Sequence, residues 1–120
     1  MKIEIRNVAD KGNPQKERLI LRARSETDIG EYVLIQCGFS PDGVTVETFH
    51  TMWFPYKPIP AGDLVVVYTK HGADREKILN SGRTAHFFYL GLDHAIWDRK
   101  DRAPVILYAP EWVSKDPDEL

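Results

Sequence analysis

Apolar and polar residues alternate along most of this chain with a period of two. Ile3 and Ile5 face one way, with Val8 continuing that side, while Lys2, Glu4 and Arg6 face the other, the pattern of a half-buried strand. Gly12, Asn13 and Pro14 form a turn cluster. Leu19, Leu21 and Ala23 then stand opposite Arg18, Arg22 and Arg24, with Ile20 among the charges. Tyr32 to Ile35 makes a third strand, and Pro41-Asp42-Gly43 is a turn that leads into the alternation of Val44, Val46 and Phe49 with Thr45, Glu47 and Thr48. Residues 55–62 hold three prolines and a glycine, which excludes a helix there. Leu64 to Tyr68 is a β-branched run of the kind buried on both faces. Residues 71–82 hold the one predicted helical turn, with helix formers from Ala73 to Leu79 and Gly82 as a stop. Ala85 to Leu90, Ala95 to Trp97 and Pro104 to Tyr108 complete the strands, with a charged turn at Arg99 to Arg102. Eight or nine short strands with at most one helical turn predict an all-β antiparallel sandwich.

Composition narrows the class without naming an activity. The chain has 120 residues, 42% hydrophobic and 28% charged, which is one domain's worth of ordinary globular sequence. No linker or repeat is visible, so residues 1–113 are expected to form the domain and 114–120 a short acidic tail. Lys+Arg 16 against Asp+Glu 18 leaves a net charge of −2, too balanced for a global field that attracts or repels nucleic acid. Cys37 is the lone cysteine, which excludes an intrachain disulfide and a cysteine-based zinc knuckle. The first residues alternate apolar with charged and lack the apolar run of a signal peptide. The ending Asp-Glu-Leu has Pro117 where an ER-retention signal needs its first residue, and no run of 18 apolar residues exists. A cytoplasmic protein with no membrane contact is the expectation.

Three segments add a family resemblance. The first is Ile3-x-Ile5-x-x-Val8 followed by Asp28-Ile29-Gly30-Glu31-Tyr32-Val33-Leu34. The second is Phe54-Pro55, then Ile59-Pro60-Ala61-Gly62-Asp63 and the apolar run from Leu64 to Val67. The third runs from Tyr89-Leu90-Gly91 through Ala95-Ile96-Trp97-Asp98 to Asp101-Arg102-Ala103-Pro104 and Val105 to Tyr108. Together, over roughly residues 1–112, they resemble the lamin tail domain, an immunoglobulin-like β-sandwich with stand-alone bacterial members. Tyr32 stands where that family usually has Trp, Ala61 where Pro is common, and no Gly follows Trp97. These motifs are turn and core residues and carry no catalytic group. The resemblance implies a scaffold for contacts with proteins, nucleic acid or neighbouring domains, and a fold shared so widely does not by itself name a function.

Few residues point to chemistry. No phosphate loop, dinucleotide fingerprint, His-Glu-x-x-His or nucleophile elbow is present. The histidines, His50, His71, His86 and His94, lack zinc-ligand spacing, and Asp93-His94 is the best acid–base pair although neighbours in an extended loop point apart. His86 reads as a satisfied or surface histidine, and Cys37, placed at a strand end, as a buried structural thiol. Lys70, His71, Arg75, Lys77 and Arg83 form a candidate site for an anion or nucleic acid, with Asp74 and Glu76 interrupting the charge. The arginines at 18, 22 and 24 share a strand face and would keep a sheet edge from pairing. Trp53 and Tyr56, beside the Pro-rich loop, and Trp112 are the candidate protein-binding residues, while Phe54 and Trp97 are assigned to the core. The expected function is a non-enzymatic module that binds another protein or itself, with no cofactor or metal. Nucleic-acid binding through Lys70 to Arg83 is the alternative, and a small metal- or His-dependent hydrolase a remote one.

Overall fold

The computed structural model describes residues 1–120 and shows an all-β architecture. Strands β1 (Ile3–Ala9), β2 (Arg18–Ala23), β7 (Leu64–Tyr68), β8 (Arg75–Ile78) and β9 (Thr84–Tyr89) form a five-stranded sheet in the order β1-β2-β7-β9-β8. Strands β4 (Tyr32–Ser40), β5 (Gly43–Trp53) and β10 (Arg102–Tyr108) form a three-stranded sheet in the order β10-β4-β5. The two-residue strands β3 (Thr27–Asp28) and β6 (Pro58–Ile59) pair with each other. Both large sheets contribute to one core: Leu19, Leu21, Val65, Val67 and Phe88 come from the first, Tyr32 and Leu34 from the second. Phe54, Ile96 and Trp97 fill it from the connecting segments, so the expected burial of Phe54 and Trp97 is observed. Period-two alternation thus becomes two layers with their apolar sides facing.

A bulge between Ile5 and Asn7 in β1 resolves an odd spacing in the sequence. Ile5 lies opposite Leu21 and Val8 opposite Leu19, so the extra residue returns Val8 to the core side.

Several local expectations are corrected. Residues 75–78 are strand β8, not a helical turn, because they pair antiparallel with β9 across a tight turn. That turn is closed by the Gly82 amide donating to the Leu79 carbonyl, with Gly82 at φ +86°. A segment this short cannot nucleate a helix alone, and ladder bonds to a neighbouring strand win over weak propensity. β8 lies outside β9, so the chain returns to β9 running parallel to β7, and the sheet is mixed rather than wholly antiparallel. Residues 95–97 are not a strand, since the amides of Ile96 and Trp97 donate to a side chain, the Glu17 carboxylate. Two 3-10 turns, Ile29–Glu31 and Pro117–Glu119, replace the single helical turn. β2 lies between β1 and β7, so Arg18 and Arg22 do not guard an edge. No helix is long and apolar enough to cross a membrane.

Candidate functional site

The outer face of the three-stranded sheet departs from what a sandwich layer normally shows to water. Inward positions of β4 are Tyr32 and Leu34, both buried, so Val33 and Ile35 point outward. In register with them stand Leu107 and Trp53 beside Val33, and Val105 and Thr51 beside Ile35. Five of these six outward residues are apolar, where a solvated antiparallel face should be polar. Leu107 and Trp53 are exposed, and Val33, Ile35 and Val105 are half-buried.

Trp112 extends this surface. The Ala109 amide donates to the Glu31 carbonyl at 2.7 Å, which carries the β10–β4 ladder one residue past Tyr108. Trp112 then meets Trp53 edge-to-face, with ring centroids 5.1 Å apart and an interplanar angle of 84°. Trp53 is oriented by its indole N–H, which donates to the Gly30 carbonyl at 3.0 Å. Tyr56 lies against the other side of Gly30, where a Cβ would stand 2.6 Å from the Tyr56 Cα. Exposure is 49% at Trp53, 67% at Tyr56 and 56% at Trp112. All three candidate protein-binding residues therefore reach the surface, and the two tryptophans are in contact. Tyr108 packs at 5.2 Å on Tyr32, and the negative charge of Glu31 nearby raises its phenol above the ordinary tyrosine value. Sequence reading missed Val33, Ile35, Val105 and Leu107, because a strand of consecutive apolar residues looks buried on both faces until the layers are counted.

The basic segment is divided by the fold. Arg75 and Lys77 point to the outer side of the five-stranded sheet, in register with Phe87 and Ala85. Lys70 lies over the Tyr68 ring at 5.0 Å on the same side. His71 sits in the loop against Gly91, and Arg83 lies at the hairpin turn, where it donates to the Ala61 carbonyl at 3.0 Å. Of the five expected residues, three share a surface and two do not. Glu76, which seemed to interrupt the charge, alternates to the opposite side and binds Lys57 at 2.9 Å. That ammonium, by hydrogen bond and by charge, holds the Glu76 carboxyl below its ordinary value.

The histidines assemble no metal centre, since no group of three His, Cys, Asp or Glu side chains converges. His86 is buried and bound to Asp63 at 2.9 Å through Nε2, while Asp63 also accepts the Thr84 amide at 3.1 Å. Glu76 approaches its Nδ1 at 3.4 Å. This network braces the start of β9 beneath the sheet and opens onto no cleft. Asp93 and His94 do meet, at 3.1 Å, contrary to the expectation that they diverge, and that bond lowers the Asp93 pKa. Both are exposed; His94 meets the His50 ring edge-to-face at 6.1 Å, and the two histidines line a small pocket of about 220 Å³ that Asp93 does not reach. A cleft of about 490 Å³ lies near Lys11, Phe39 and Trp97, but its guanidinium groups are occupied. Arg99 chelates Asp101 at 2.8 and 2.9 Å, and Arg102 lies 3.6 Å from the centre of the Phe49 ring. Cys37 is buried in the interior of β4 rather than at a strand end. No protein-family model and no curated protein matches this chain.

Proposed function

We propose that this chain is a non-enzymatic binding module that docks another protein, or a second copy of itself, on the outer face of its three-stranded sheet. The carrying observation is the apolar column of Leu107, Val33 and Trp53 extended by the edge-to-face contact of Trp112 on Trp53. Large apolar area left in water on one side of a sandwich is the ordinary mark of an interaction site, and tryptophan and tyrosine contribute most energy in such interfaces. The lamin-tail resemblance supports the same reading. We place the module in the cytoplasm, a reducing compartment that suits a solitary buried thiol.

The test is site-specific photocrosslinking in the native cell, with p-benzoylphenylalanine at position 56. One discrete adduct is expected, abolished by Leu107→Asp, and a doubled mass would identify self-association. Val46, 98% exposed on β5 and outside this surface, supplies the control position. The same adducts from both positions, or none from either, would sink the proposal.

A further inference from the structure

The second sheet carries a different surface on its outer side. Strand register lays it out in three rows. Arg18, Tyr68 and Tyr89 form one, Ile20, Val66, Phe87 and Arg75 the next, and Arg22, Leu64, Ala85 and Lys77 the third. Lys70 lies over Tyr68 at the end of the first row. Five cations therefore frame a strip of three aromatic rings, in a chain whose net charge is −2. Glu4 is the carboxylate in the rows, where it meets Arg22 at 3.3 Å, and Asp10 reaches Arg18 from the edge at 2.6 Å. Lys70, Arg75 and Lys77 have no carboxylate within salt-bridge distance.

The rings and cations are joined. Tyr68 and Tyr89 are stacked at 5.4 Å with planes 9° apart, and Phe87 stands 6.0 Å from Tyr68. Arg75 holds its guanidinium 4.3 Å from the Phe87 ring centre and donates to the Tyr89 hydroxyl at 3.2 Å. Gly72 packs directly on the Tyr89 ring, so the loop carrying Lys70 is drawn down onto the strip.

We propose that this face binds single-stranded nucleic acid, independently of the protein-docking surface on the other sheet. Unpaired cations along a sheet track a phosphate backbone, and a guanidinium held against a ring offers its outer plane for an unstacked base. A duplex keeps its base faces hidden and would meet only the charges. An acidic protein would likewise use the cations and ignore the rings.

The test is fluorescence anisotropy of the full chain with a labelled oligothymidylate of about twelve nucleotides, from about 20 to about 200 mM salt. Binding is expected at low salt, with a log–log salt slope of about −2 for three neutralised phosphates. Arg75→Glu with Lys77→Glu, on an exposed edge strand, should weaken binding about tenfold or more while costing only the exposed contacts of Arg75 with Phe87 and Tyr89, a melting temperature lower by no more than a few degrees. Phe87→Leu, with its fold checked by melting, should weaken the oligonucleotide at least about fivefold while leaving polyglutamate unaffected. No binding at the lowest salt, indifference to the charge reversal, or equal affinity for duplex or polyglutamate would each overturn the proposal. Retained oligonucleotide binding in Leu107→Asp would separate its outcome from that of the docking surface.

Discussion

Glu17 is the residue whose loss should cost this protein most, although nothing in the hydrophobic pattern marks it. Its carboxylate is wholly buried and accepts four hydrogen bonds from three separate segments. Oε1 takes the amides of Gly12 at 3.0 Å and Trp97 at 3.1 Å. Oε2 takes the Ile96 amide at 2.9 Å and the Thr69 hydroxyl at 2.6 Å. One side chain thus ties the turn before β2, the end of β7 and the irregular segment at 96–97 that plugs the core. Glu17→Ala orphans all four donors, each at about 1–3 kcal/mol when buried without a partner. Entering water repays part of that, so a loss of about 4 kcal/mol is expected, or about 15 °C of melting temperature at this chain length. Glu17→Gln keeps the volume and one oxygen, and the Thr69 hydroxyl can turn to accept from the new amide. The Ile96 amide is then left facing another donor, at about 2 kcal/mol. Urea unfolding of the three proteins, with the slope of each transition compared, measures both values. A loss below about 1.5 kcal/mol for Glu17→Ala, or equal losses for the two variants, would refute the hydrogen-bond argument.

Two further outcomes follow from packing and charge. Gly30→Ala should destabilise by about 1–3 kcal/mol, because the new Cβ would stand 2.6 Å from the Tyr56 backbone and something must shift; an unchanged melting temperature would show that the two segments separate freely. Glu76 has its folded pKa depressed by Lys57, so its contribution is present above about pH 5 and is lost as pH falls through the depressed value. Glu76→Gln should accordingly flatten the acid side of the stability–pH profile, and a profile parallel to the parent's would exclude that linkage.

Much of the fold was legible from local pattern. The alternations at 3–8, 18–23 and 44–49, the turn at 41–43 and the prolines of 55–62 each encode backbone geometry through side chains in sequence reach of one another, so β1, β2, β5 and the following connection could be read directly. The candidate residues Trp53, Tyr56 and Trp112 could be picked by type, since large aromatics beside prolines are unusual in a solvated loop. Whether they were exposed could not, because exposure depends on which layer each strand joins.

What the sequence determined by itself is therefore the all-β character, most of the strands and the core positions of β2 and β7, consequences of period-two burial acting on neighbours. The same alternation misassigned Val44, Val46 and Phe49 of β5, which are exposed because no second layer covers that end of the strand. Tertiary structure alone decided the parallel pairing of β7 with β9, the strand at 75–78, and the gathering of Arg18, Arg22, Lys70, Arg75 and Lys77 on one face while Arg83 was left apart. It also decided the apolar column of Val33 and Leu107 and the burial of Glu17. These features rest on contacts between residues tens of positions apart, such as Glu17 with Trp97. A strand's hydrogen-bonding edge and a carboxylate's lone pairs accept any donor that the packed core brings within reach, and no local pattern names which one arrives.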